Sequence, residues 1–135
     1  MPSLPRSFEA KRSAEQGSAV VEFVVVLGLA LAVTLMLVQF GLVLYERNVI
    51  LTATADGARV GAGLGGTPAL AVARAEALVT QALGPLADYV NVRWSAQVQG
   101  GVAAVGASAR LSSPLPGFPP ITVRALATLH QEAGL

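Results

Sequence analysis

Residues 18–45 read SAVVEFVVVLGLALAVTLMLVQFGLVLY, and within them Glu22 is the only charged side chain. From Phe23 to Leu44 there is no charge at all. At about 1.5 Å per residue, a helix over those positions spans roughly 33 Å, enough to cross a hydrocarbon core of about 30 Å. A core helix of a water-soluble domain keeps a polar face, whereas here only Thr34 and Gln39 would seek water. The stretch is therefore read as a transmembrane helix. A cleaved secretory signal is excluded, because its apolar region is shorter, about 7–15 residues, and ends at a small-residue cut site. This chain instead continues in helical register through ERNVILTATADGAR, residues 46–59. Leu37, Gly41, Leu44, Leu51, Ala55, Ala58 and Ala62 recur at gaps of three and four, apart from one longer step past Asn48. One helix of about 40 residues is expected, its first half in lipid and its second half in water. Gly57, Gly61, Gly63, Gly65 and Gly66 are expected to end it, as a flexible neck.

Working outward, residues 1–17 form a polar leader with Arg6, Lys11 and Arg12, against Arg47 and Arg59 on the far side. That asymmetry favours a cytoplasmic N-terminus. Of the whole chain, 53% is hydrophobic and 13% charged, half the roughly 25% of an ordinary soluble domain, which excludes a disordered chain. A net charge of +1 provides no general field for nucleic acid. Cysteine is absent and His130 is the single histidine, so thiol chemistry, cysteine-based zinc sites and a Ser-His-Asp triad lack parts. Neither a catalytic residue nor a metal or cofactor is assigned.

The remainder, residues 46–135, is expected to form a small α+β head. Pro68 followed by ALAVARAEALVTQAL predicts a second helix stopped by Gly84-Pro85, with Ala71, Val72, Ala75, Leu78, Val79, Ala82 and Leu83 on one arc. From Tyr89 to Gln99 apolar and polar residues alternate, and Gly100-Gly101 suits a primed hairpin turn. Closing that turn pairs Gln99 with Val102 and sets Val90, Val92, Trp94, Ala96 and Val98 against Leu111, Ala109, Ala107, Val105 and Ala103. Arg93 then falls opposite Ser108 on the wet face. A one-residue slip would turn the second strand's apolar side to water. After the proline-rich loop Ser113–Pro120, read as a plain connection, Ile121, Val123, Ala125, Ala127 and Leu129 predict a third strand with Leu126 out of phase. The fold class is thus α+β: a long N-terminal transmembrane helix, a second helix and a three-stranded antiparallel sheet.

The chemistry concentrates at the head of the apolar run, in Gly17-Ser18-Ala19-Val20-Val21-Glu22-Phe23. An acid deep in lipid costs about 2.5–3.5 kcal/mol or more. A lone glutamate at a helix end can reach back to the headgroups, but the glycine five positions before it and the basic leader point elsewhere. Cutting after Gly17 would create an α-amine on Ser18 one turn from Glu22. In a bundle of such helices the carboxylate of one chain would meet the amine of the next, and a misaligned subunit would leave both unpaired. Glu22 would then set axial register.

This segment resembles the processing site of type IV-like prepilins. The wider stretch GSAVVEF…QFGLVLYERNVILTATADGARVGA is similar to the TadE-like proteins of the tight-adherence (Flp) pilus system, with a looser likeness in ITVRALATL. Phe23 stands where that pilin subclass often has tyrosine. The resemblance implies a pilin-like minor pilin, or pseudopilin, cut by a prepilin peptidase after Gly17. Residues 1–17 would be its cytoplasmic leader, 18–45 its assembly helix and 46–135 its extracytoplasmic head. Its implied partners are the peptidase, other pilins and minor pilins, the pilus assembly platform and the lipid bilayer of the cytoplasmic membrane; nucleic acid is not among them. The alternative is an uncleaved single-pass anchor carrying a binding head. Among lesser features, Gly28 and Ala32 offer a close helix contact in lipid, Asp56 and Arg59 a surface pair, and Trp94 a core residue.

Overall fold

A computed structural model of the chain describes residues 6–131. Helix α1 runs Arg6–Ala62 and α2 Pro68–Leu83; a 3-10 helix, Gly84–Tyr89, leads into strands β1 (Val90–Gln99), β2 (Val102–Leu111) and β3 (Ile121–His130). The chain divides after Val38 into two compact units.

In the first unit α1 is the whole structure. At 57 residues α1 is longer than the expected 40, because it begins inside the leader. The leader's Glu, Ala, Lys and Arg are strong helix formers, and the Ser13 hydroxyl donates back to the carbonyls of Glu9 (3.0 Å) and Ala10 (3.1 Å). The large apolar side chains from Val20 onward stand exposed, on a helix long and apolar enough to cross a membrane. Thr34 needs no water, since its hydroxyl donates to the Ala30 carbonyl at 2.8 Å. Such internal satisfaction suits a hydroxyl in hydrocarbon.

The second unit starts at Gln39, where α1 acquires a buried face. Its buried residues are Glu46, Val49, Ile50, Ala53, Thr54, Gly57, Ala58, Gly61 and Ala62, a strict i, i+3, i+4 stripe. The expected stripe is corrected here: Leu44 and Leu51 are exposed, and only Ala58 and Ala62 belong to both sets. Apolar spacing alone favours Leu51, but close packing selects the small residues beside it. Gly57 and Gly61 therefore do not end the helix. A Cβ on Gly57 would stand 2.7 Å from the Ala71 carbonyl oxygen and 3.2 Å from the Ala75 Cβ. One on Gly61 would stand 3.1 Å from the Ala103 Cβ. The helix ends at Ala62, and Gly65 beyond it takes φ 74°.

Helix α2 matches its expected bounds and presents Ala71, Ala75, Val79 and Leu83 to the core. Its N-cap is Thr67, whose hydroxyl oxygen accepts from the Leu70 N–H at 3.2 Å. Gly84 adopts φ 51°, yet the chain does not turn at once into a strand. It runs on as the 3-10 helix, and β1 begins at Val90.

The hairpin register is the expected one, from Gln99↔Val102 to Val90↔Leu111. Gly100 and Gly101 both take positive φ, 59° and 75°, as a primed turn requires. Strand β2 is central, paired with β1 and β3, both antiparallel. Its inward residues Ala103, Val105, Ala107, Ala109 and Leu111 are buried, as are Val123 and Ala125 of β3. Leu126 is the exception the alternation marks, 76% exposed. Trp94 packs against all three groups of buried residues, one around Ile50, one around Ala53 and one around Val105.

Replacing Gly57 tests the seam. Alanine gains up to about 1 kcal/mol of helix propensity, but the forced contact with a backbone oxygen costs about 1–3 kcal/mol. Gly57→Ala is expected to lower the melting temperature of the detergent-solubilised chain, and Gly57→Val to lower it further. Gly28→Ala, whose Cβ meets nothing within 4 Å, is expected to keep it or raise it slightly.

Candidate functional site

Gly17, Ser18, Glu22 and Phe23 all lie on the first unit's part of α1, and all are exposed. Helical spacing sets Ser18 and Glu22 four residues apart on one face, one turn from each other. Phe23 is rotated about 100° from Glu22 and is exposed among the other large apolar side chains. A Cβ on Gly17 would touch nothing within 4 Å, so no packing in the single chain requires glycine there. The Gly17–Ser18 peptide bond is itself helical. Glycine lowers helix stability by about 1 kcal/mol relative to alanine, so the helix is locally weakened at this position.

The TadE-like protein family model matches residues 17–59. The chain is TadE-like over this segment. The matched family is that of the tight-adherence (Flp) pilus system, and α1 is long and apolar enough to serve as a single membrane anchor. The TadE-like segment begins at Gly17, contains Glu22 and Phe23, and ends near the last turn of α1. No curated protein and no solved structure matches the chain.

The TadE-like segment also contains a residue whose importance the sequence reading missed. Glu46 is 2% exposed, in phase with Val49, Ile50 and Ala53 on the packed face of α1. Among the described residues no side-chain hydrogen bond or ion pair to its carboxylate is found. Burial raises its carboxyl above the ordinary glutamate value of 4.5. The only sequence signal for it is position: it continues the stripe of small residues one turn toward the membrane. Around it, the Tyr45 hydroxyl donates to the Ala82 carbonyl at 2.7 Å. The Ser113 hydroxyl donates to Gln39 Oε1, also at 2.7 Å, so Gln39 meets protein rather than water.

Asp56 does not pair with Arg59 as its spacing suggests. Its Oδ2 accepts from Arg74 Nε at 2.7 Å, tying α1 to α2 across the seam. With both side chains partly exposed, the pair contributes at most about 1 kcal/mol. Among the described residues no three of His, Cys, Asp and Glu gather at metal-binding distance.

Glu46 makes stability depend on pH. With its folded pKa raised, the native state holds a proton over a range where the unfolded chain has released it. That contribution is complete below 4.5 and is lost as pH rises through the raised value. Glu46→Gln is expected to melt higher than wild type at neutral pH, with the difference shrinking toward acid pH. Thermal denaturation across that range checks it.

Proposed function

We propose that this chain is a minor pilin, or pseudopilin, that supports biogenesis of a tight-adherence pilus. In this reading a prepilin peptidase cuts after Gly17 and releases residues 18–135 as the mature subunit. The observation that carries it is the placement of the TadE-like match. It opens on Gly17, takes in the acid five positions later, and runs straight into the uncharged stretch from Phe23 to Leu44.

The mechanism follows from charge in a poor dielectric. Before cutting, Glu22 has no nearby α-amine and the leader keeps its cations on the cytoplasmic side. After cutting, Ser18 carries an ammonium one helical turn from Glu22. Between neighbouring chains the two charges meet side by side when the helices are level. A subunit out of level by one turn buries an unpaired acid, which is strongly unfavourable. Register is thereby selected by the cost of error more than by the strength of the pair. The subunit sits in the cytoplasmic membrane with its N-terminus inside and its head outside. Its partners are the peptidase, other pilins and minor pilins and the assembly platform, and it enters a pilus or its base from there.

Co-expression with a cognate prepilin peptidase is expected to yield an intact mass corresponding to residues 18–135, and Gly17→Val is expected to block the shift. Only full-length chain from the unsubstituted protein would support the uncleaved anchor instead. Glu22→Ala is expected to be processed but to be depleted from assembled material several-fold; recovery equal to wild type would remove the register role.

A further inference from the structure

The outer face of the sheet carries charges of one sign. Arg93 and Arg124 both lie opposite Ser108, one on each side, and Arg110 occupies the neighbouring row between Asn91 and Thr122. At about 4.8 Å per strand, Arg93 and Arg124 are about 10 Å apart along that row. All three arginines are exposed, and the three strands contain no acidic residue. Asp88, just before β1, lines the edge of the depression over Arg93 and Arg110, one carboxylate against two guanidinium groups. Among the described residues the ion pair present is Arg74–Asp56, elsewhere in the fold. At that spacing the exposed guanidinium groups repel one another only weakly, and together they present a positive face to solvent.

An apolar feature adjoins these charges. In the next row Gly106 lies between Ser95 and Leu126. Gly106 adds no side chain, and a Cβ there would stand 2.7 Å from Ser95 Oγ. The result is a depression over Gly106 and Ser108, walled by Leu126, Arg93 and Arg124. Leu126, 76% exposed, is the side chain that breaks the strand's alternation. Its neighbours in the depression give it no apolar cover.

We infer that this face docks an acidic segment of a partner protein, with carboxylates on Arg93, Arg110 and Arg124 and an apolar side chain against Leu126. Guanidinium groups grip carboxylates through paired N–H donors, and Arg around an apolar contact is the composition of protein interfaces. A phosphate polymer would satisfy the arginines and leave Leu126 in water. The Leu126 wall therefore favours a protein. This inference does not depend on cleavage at Gly17.

The test uses the full chain in zwitterionic detergent micelles and a fluorescent Glu-Glu-Leu-Glu-Glu peptide, read by anisotropy, with Glu-Glu-Ala-Glu-Glu as its partner probe. Saturable, salt-sensitive binding is expected, weakened at least about tenfold in the Arg93→Gln, Arg110→Gln, Arg124→Gln triple variant. Leu126→Ala is expected to bring the leucine peptide down to the affinity of the alanine peptide while leaving the latter unchanged. Melting temperatures equal to wild type are expected, since all four side chains face water. Absence of saturable binding overturns the inference, as does an unaltered affinity in the triple variant. So does tighter binding of a single-stranded oligonucleotide or phosphatidylglycerol vesicles through the same arginines, or self-association of the chain that the triple variant abolishes.

Discussion

Where α1 leaves its uncharged stretch it must exchange one solvent for another, and the exchange is made with small side chains. Above Tyr45 the helix buries Ala53, Thr54, Gly57, Ala58, Gly61 and Ala62. They let backbone approach backbone so closely that even a methyl group at Gly57 would collide with α2. The inward side of β2 is built in the same way, three of its five buried residues being alanine. A core with so little bulk per residue gains modestly from hydrophobic transfer and correspondingly more from tight contact. Ile50, Val105, Leu111 and the broad ring of Trp94 supply what volume there is.

Thr54 illustrates how polar groups are carried in that seam, its hydroxyl donating to the Ile50 carbonyl at 2.6 Å. Glu46 has no comparable arrangement. It lies at the start of the packed face, near the end of the apolar stretch, where a charged carboxylate is disfavoured on the protein side. The acid that the pilin reading uses, Glu22, lies at the other end of the same stretch. Of these two acids only Glu46 has neighbours that exclude water in the single chain; Glu22 is exposed.

The sheet was legible because alternation has a short period and the turn residues allow one closure. Gln99 against Val102 leaves every apolar residue of β1 facing an apolar one, so the hairpin's register and wet face follow, whereas the pairing of β3 with β2 comes from the structure. Helix α2 was legible from Pro68 and Gly84. What failed was the helix face of α1 and the meaning of its glycines. Counting apolar residues favours Leu51 over Gly57, yet the buried face is chosen by how closely α2 and β2 can approach. Glycine within a helix reads as weakness until the neighbour that needs the space is known. The helical leader was missed for a related reason, its polar residues being read as a tail although their propensity is helical. Of the candidate site, Gly17 and Glu22 were singled out by their spacing together with the apolar run that follows them. Glu46 was not, because a charged residue signals exposure unless its phase on a helix is weighed.

Helix α1, continuous from Arg6 to Ala62, has to pass from lipid to packed protein along its length. The chain has no cysteine, so single cysteines placed along α1 report their surroundings against a silent background. In membranes of a host without prepilin peptidase, where the leader stays attached, an aqueous maleimide is predicted to leave positions 26, 30, 35 and 40 unlabelled. It is predicted to label position 12 only after the cytoplasmic side is opened, and position 59 without opening. Labelling across the middle positions, or of 12 and 59 from the same side, would contradict that passage from lipid to protein.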